Sequence, residues 1–186
     1  MRGWLRLCNL LPLAYLLGPS PSAATTVRYL DLPALVARAD LIVLGTCVGS
    51  VVAWEGSHLV TLYEVEVHEA WRGDLPQSRQ RVRVVTLGGI LGGVGQQAGD
   101  PVLPLQKPLV LHLRRDRARP EQFSLVGAQQ GIWHVTAAPG GLPTAAAAVR
   151  QERGSLQMGA PEHRPDGPAT LGALRQAVRE LAPHAG

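Results

Sequence analysis

Residues 58 to 71 alternate between apolar and polar side chains with a period of two, and this pattern restricts the fold more than any other feature of the chain. The face that we expect to be buried carries Leu59, Thr61, Tyr63, Val65 and Val67. The opposite face carries Glu64, Glu66 and His68. Alternation of this kind is typical of a β-strand that has one face on a core and the other in solvent.

Five further segments are predicted strands because they are short, rich in apolar and β-branched residues and bounded by turn residues. They comprise residues 41–54, 79–87, 109–115, 122–127 and 131–137. Gly45 and Gly49 within the first of them indicate a bend or a bulge. About six strands joined by tight turns predict a mainly β fold, either a barrel or a sandwich.

Two helices are predicted at the ends of the β region. Asp31 is a suitable N-cap for a short helix that ends near Asp40, and Thr170 can cap a C-terminal helix. The apolar face of the second helix carries Leu171, Leu174, Val178 and Leu181. We expect this amphipathic helix to pack on the β domain, with partner binding as the alternative.

The first 24 residues have the pattern of a signal peptide. Arg2 and Arg6 precede an apolar run that is too short to span a bilayer, and small residues end at Ala24. We therefore expect a secreted or periplasmic protein with no transmembrane segment after cleavage. The remaining predicted parts are a β domain (25–137), a loop or linker rich in proline, glycine and alanine (138–168) and the C-terminal helix (169–186).

Charge does not favour a nucleic-acid partner. The 18 basic residues, less Arg2 and Arg6, stand against 14 acidic residues and leave a formal charge of +2 after cleavage. Two local groups of arginines could still bind an anionic surface. They are Arg79, Arg81 and Arg83 on one predicted strand and Arg114, Arg115, Arg117 and Arg119 at a predicted hairpin tip.

Glu66 and His68 are the best candidates for metal ligands. Alternate residues of a strand project on the same side, and imidazole and carboxylate groups suit zinc or a similar divalent ion. His58 and Glu64 are on or near the same face. No H-E-x-x-H motif, cysteine pair or closely spaced histidine pair accompanies them, so a solvated polar face is the simpler interpretation. We expect no cofactor.

Residues 88–99 (GGILGGVGQQAG) form a glycine-dense segment. A phosphate-binding loop of the Walker type would end in Gly-Lys-Ser/Thr, which is absent here, so we expect a wide hairpin or a lid whose glycines adopt positive φ angles. We predict a partner-binding surface around this segment and two tryptophan-bearing strands. Its candidate residues are Trp71, Gly88, Gly89, Gly92, Gly93 and Trp133.

The chain also resembles a group of small secreted bacterial proteins without assigned activity, some of which occur near matrixin-type metalloprotease domains. The resemblance rests on LVARADLIVLGTC (35–47), VTLYEVEVHEAWRGDLP (60–76), VRVVTLGGILGGVG (82–95), LVLHLRR (109–115) and GAQQGIWHV (127–135). The order of elements is similar to the OB-type barrel of netrin-like domains, which include the tissue inhibitors of metalloproteinases. The resemblance thus implies a small OB-like or netrin-like barrel.

The inhibitory mechanism of those inhibitors does not carry over to this chain. It depends on an N-terminal cysteine and several disulfides, whereas the predicted mature chain begins near Thr25 and has Cys47 alone. The function that we expect is an exported, non-catalytic module that binds a protein or envelope component, with protease association as one version. The alternatives are a metal-assisted hydrolase that uses Glu66 and His68, and a structural envelope protein that binds anionic surfaces.

Overall fold

The computed structural model describes residues 27–75, 80–96, 99–136, 142–152, 157–158 and 167–182. The predicted signal peptide lies outside these ranges. The strands are β1 (Val27–Arg28), β2 (Leu41–Glu55), β3 (His58–Arg72), β4 (Arg81–Leu87), β5 (Gly89–Leu91), β6 (Val94–Gln96), β7 (Pro108–Arg115), β8 (Gln122–Leu125), β9 (Ile132–Val135), β10 (Val149–Gln151) and β11 (Gln157–Met158). The α-helices are α1 (Leu32–Arg38) and α2 (Leu171–Leu181). The fold is mainly β, as the sequence predicts.

Seven strands form one sheet in the order β10–β9–β7–β2–β3–β4–β8, and β7 also pairs with β8. The pairing therefore runs from β7 through β2, β3, β4 and β8 and returns to β7. All these pairs are antiparallel except β4 with β8, which run parallel with Arg83 opposite Gln122. One edge of β7 faces β2, while the other is shared by β8 and β9.

The long β2–β3 hairpin is bent by three register shifts, which lie between Ile42 and Val43, Leu44 and Gly45, and Cys47 and Gly49. A β-carbon at Gly45 would lie 2.6 Å from the carbonyl oxygen of Glu66, so the two backbones approach too closely for a larger residue. A bulge bends a strand and strengthens its twist. The irregularity predicted from Gly45 and Gly49 is confirmed.

Two clusters of buried side chains lie on opposite sides of the sheet. The inner core contains Leu41, Val43, Cys47, Tyr63, Val65, Val67, Val82, Val84, Leu103, Leu109, Leu111, Leu113, Phe123 and Ile132. The helix layer contains Leu30, Leu35, Val36, Ala39, Ile42, Leu44, Trp71, Val110, Val126, Trp133, Val135, Val149, Leu171, Leu174 and Val178. β2 and β7 contribute alternate residues to the two clusters, as expected for strands that are covered on both faces.

Both predicted helix caps are present. A side-chain oxygen of Asp31 accepts a hydrogen bond from the Ala34 amide (2.9 Å), and the Thr170 hydroxyl accepts one from the Ala173 amide (3.3 Å). Within α2, Leu171, Leu174 and Val178 are buried in the helix layer, whereas Leu181 is partly exposed.

The segment predicted as loop or linker, residues 138–168, contains regular structure that its composition does not predict. β10 pairs with β9, and β11 pairs in parallel with β1. Strands of two or three residues have too few side chains to show a period. Their positions follow from the strands beside them.

Candidate functional site

The glycine-dense segment forms a β-hairpin, although a tight one with a two-residue turn where the sequence predicts a wide hairpin or a lid. β5 and β6 pair across a turn at Gly92 and Gly93, whose φ angles are +58° and +81°. Gly88 and Gly89 also have positive φ angles, +99° and +145°. Glycine adopts such angles without the steric cost that a β-carbon brings, so the glycines permit this tight path.

The hairpin lies against the end of the β2–β3 pair. A β-carbon at Gly89 would lie 2.7 Å from Val52 Cγ1, and the Thr61 hydroxyl donates a hydrogen bond to the carbonyl of Gly88 (2.7 Å). The Leu59 amide donates to Gln96 Oε1 over 2.6 Å. The hairpin is thus anchored at both of its strands.

Four apolar side chains of this region are exposed to solvent. We call them the hairpin surface: Leu87 (51% exposed), Ile90 (76%), Leu91 (38%) and Val94 (52%). Single exposed apolar residues are ordinary, but a group on and beside one short hairpin, with Leu91 directly opposite Val94, marks a candidate contact surface. The glycines of this hairpin are among the predicted contact residues, whereas the apolar residues between them are not.

The two tryptophans that were predicted as contact residues lie in the helix layer. Trp71 is 8% exposed and Trp133 is 3% exposed. The indole nitrogen of Trp71 donates to Glu69 (3.0 Å), and the Arg175 guanidinium lies 5.7 Å from its ring centre. A partner can reach little of either ring, and truncating Trp71 would damage packing. Among the tryptophans that the structure describes, the exposed one is Trp54, near the end of β2.

The structure does not bring a metal-ligand set to Glu66 and His68. The His68 ring nitrogen Nε2 lies 2.9 Å from the Thr46 hydroxyl, with which it shares a hydrogen bond. Across the described ranges, no group of three or more histidine, cysteine, aspartate or glutamate side chains could hold a metal ion. His58 shares a weak contact with Gln96 at 3.3 Å.

A groove of about 890 Å³ lies beside the polar residues of β3 and β4. Its charged lining consists of Glu64, Glu66, Arg81, Arg83 and Glu121. Glu64 and Arg81 form an ion pair at 3.3 Å in which both side chains are more than half exposed. Exposed pairs of this kind contribute little stability. The groove is lined by both acidic and basic side chains, so its charge does not favour binding of one class of ligand.

Several of the arginines predicted to form a basic surface interact with other groups of the chain. Arg119 forms an ion pair with Glu55, which joins the β7–β8 loop to the tip of the β2–β3 hairpin. Arg115 lies over the ring of Phe123 and donates to the carbonyls of Pro120 and Asp74. Arg79 lies outside the described residues. These contacts partly neutralise the charge of Arg119 and occupy the guanidinium group of Arg115, so both groups are less available to bind an anionic surface.

Two buried groups with potential chemistry are held in their neutral forms. Burial raises the pKa of the Cys47 thiol, which favours the unreactive thiol over the thiolate. His112 is fully buried and neither ring nitrogen has a hydrogen-bond partner among the described residues. Burial lowers its pKa to about 4, and the nearby Gly131 backbone, which favours the charged ring, offsets this only in part.

Comparison with known proteins does not assign the chain to a family. No protein-family model matches it, and no curated protein is similar enough to indicate its relatives. In the part of the chain that the structure describes, no helix has the length and apolar character needed to cross a membrane.

Proposed function

We propose that the protein is an exported, non-catalytic module that binds another protein through the hairpin surface. The observation that carries this proposal is the exposure of Leu87, Ile90, Leu91 and Val94 on and beside an element that is anchored to the rest of the fold. An anchored apolar surface loses little conformational entropy on binding, which favours affinity.

The proposed scaffold is an OB-like barrel. Two observations support this: the pairing returns from β8 to β7, and β4 with β8 is the one parallel pair among the five strands of this ring. Five strands in a closed or nearly closed ring, with loops at their ends, form a rigid platform that tolerates variation in the loops. The β5–β6 hairpin occupies the connection between β4 and β7, where an added element leaves the ring undisturbed.

A protein partner fits this surface better than an anionic envelope surface does. The hairpin surface is apolar, and aliphatic side chains gain free energy by leaving water rather than by meeting phosphate or carboxylate groups. Arg119, which an anionic ligand would need, is paired with Glu55. The resemblance to proteins that occur near matrixin-type domains makes a secreted metalloprotease the first partner to test.

The proposal is tested by capture from the cell envelope and the secreted fraction. The full-length chain, tagged at its C-terminus, is expressed in its own cells and recovered at moderate salt, and bound proteins are quantified by mass spectrometry. We expect one stoichiometric partner, and Ile90→Lys should lower its recovery at least about fivefold, since a buried interface anchor contributes more than ~1 kcal/mol.

Leu142→Lys is the matched control, because Leu142 is 72% exposed and lies in the segment before β10. It adds the same charge at a similar exposure and should leave recovery unchanged. Equal recovery of the partner by the Ile90→Lys and wild-type chains would show that the hairpin surface is not the contact. Binding that disappears with added salt for every variant would instead favour an anionic surface.

A further inference from the structure

Among the described residues, the second half of β2 has a free edge. β7 pairs with β2 only from Leu41 to Thr46, and from Gly49 to Glu55 the ladder partner of β2 is β3 alone. Gln106 covers the edge as far as Val48, because its amide donates to the Cys47 carbonyl and its side chain to the Val48 carbonyl. Beyond Val48, no described residue forms a ladder bond on that side of the strand.

Apart from the bulge before Gly49 and the charge of Glu55, this edge lacks the features that usually prevent strands from pairing between molecules. Edge strands are commonly protected by lysine, proline or an inward-pointing charge. The segment Gly49–Glu55 reads GSVVAWE and contains no lysine or proline. Val51 is 64% exposed and Trp54 is 53% exposed, so apolar side chains flank the unpaired backbone groups.

We propose that a second copy of the chain pairs with this edge, antiparallel and about a twofold axis at Val52. Val52 is the midpoint of the free segment, so this register uses all seven residues. It places Val51 opposite Ala53 and Ser50 opposite Trp54, while Glu55 lies opposite Gly49. Residues that face each other across the axis lie on the same face of the joined sheet, as antiparallel pairing requires.

The charges of the edge suit a second copy. Its single ionisable side chain, Glu55, is paired with Arg119 and meets glycine in the proposed register. No like charges oppose each other, which removes the usual penalty for pairing identical strands. The β5–β6 hairpin packs against this segment, with Gly89 close to the side chain of Val52. The edge is therefore ordered before the two copies meet.

The size of the contact predicts a weak, concentration-dependent dimer. Seven residues span roughly 23 Å and provide roughly six to eight ladder hydrogen bonds. This number falls within the roughly 5 to 15 direct hydrogen bonds of an ordinary protein interface. The hairpin surface is not part of the paired edge, so the dimer would present two copies of it and bind a repeated partner with higher avidity.

The test is the molar mass of the purified full chain, measured by light scattering after size-exclusion chromatography over a range of concentrations. We expect the mass to rise toward twice that of the monomer, and Val51→Lys to keep the chain monomeric throughout. Val102→Lys is the control, since Val102 is 78% exposed and lies outside β2, and it should dimerise like wild type. Far-UV circular dichroism verifies that each variant is folded.

A cysteine placed on the axis tests the register. In the proposed dimer the two copies of residue 52 have Cα atoms about 4.5 to 5.5 Å apart, which suits a disulfide. Under mild oxidation Val52→Cys should give a covalent dimer, whereas Ser50→Cys should not, because its copies lie about 13 Å apart along the strand. A monomeric wild type, a dimer that survives Val51→Lys, or equal cross-linking at both positions would overturn the proposal. Partner capture is measured separately, so failure here leaves the proposed function standing.

Discussion

His112 is a titratable residue whose side chain is fully buried. Neither nitrogen of its ring has a hydrogen-bond partner among the described residues. Such a ring is tolerated only while it is neutral, because a charge in that position would be neither hydrated nor paired. The folded state therefore resists protonation at pH values where the unfolded chain accepts it.

We predict that the stability of the folded protein falls as the pH is lowered from about 6.5 to about 4. The pKa of His112 is about 4 in the folded state against 6.5 for an ordinary histidine, so between these values the unfolded state binds more protons. The difference corresponds to about 3 kcal/mol at the acid end of the window. Urea unfolding at a series of pH values measures it.

Substitution of the histidine identifies its share of this pH dependence. His112→Leu removes the titrating ring and should flatten the stability profile between pH 6.5 and pH 4. His58→Leu, at an exposed position, removes an imidazole without changing the core and should leave the slope in place. If the slope persists in His112→Leu, other groups cause the acid sensitivity.

The tryptophans show why burial of single residues was harder to predict than the strands that carry them. Burial alternates from Thr61 to Val67 as the sequence indicates, but the register shift between Leu44 and Gly45 leaves the backbone of His68 without a paired residue in β2. An extra residue reverses the alternation, so Trp71 faces the helix layer and not the inner core. Gly45 beside this bulge predicts an irregularity in β2, but the extra residue, His68, lies in β3, which contains no glycine or proline. No local pattern in β3 therefore indicates that Trp71 lies under α2.

At the scale of elements, α2 is held to β3 by apolar packing and by one ion pair. Leu171, Leu174 and Val178 are completely buried, and Arg175 forms an ion pair with Glu69 at 2.7 Å. The apolar stripe of α2 is therefore used within the chain and is not free for a partner. Its spacing and its Thr170 cap were readable from the sequence because both are local patterns.

We predict that Leu174→Ala lowers the free energy of unfolding by about 2 to 5 kcal/mol, since it removes a fully buried aliphatic side chain and leaves a cavity. Arg179→Ala, on the exposed side of the same helix, should change it by less than about 0.5 kcal/mol. Chemical denaturation measures both values. A small effect at Leu174 would mean that α2 contributes little to the folded core.

At the scale of the whole molecule, the two cores are joined by shared strands. In β2, Leu41 and Val43 face the inner core while Ile42 and Leu44 face the helix layer, and β7 alternates in the same way. The sequence predicts a mainly β chain with a helix at each end, but it does not give the order of the strands. The parallel pairing of β4 with β8 joins residues about 40 positions apart and depends on the fold as a whole.

Because β2 and β7 serve both cores, we predict that the described fold unfolds in a single cooperative transition. Loss of packing in either layer would expose apolar residues on strands that also form the other core, and this couples the two layers. Tryptophan fluorescence reports on the helix layer through Trp71 and Trp133, and far-UV circular dichroism reports on the sheet; their urea transitions should coincide. Leu111→Ala, in the inner core, and Leu174→Ala, in the helix layer, should each shift both signals together. Separate midpoints for the two signals would mean that the helix layer dissociates from a sheet that remains folded.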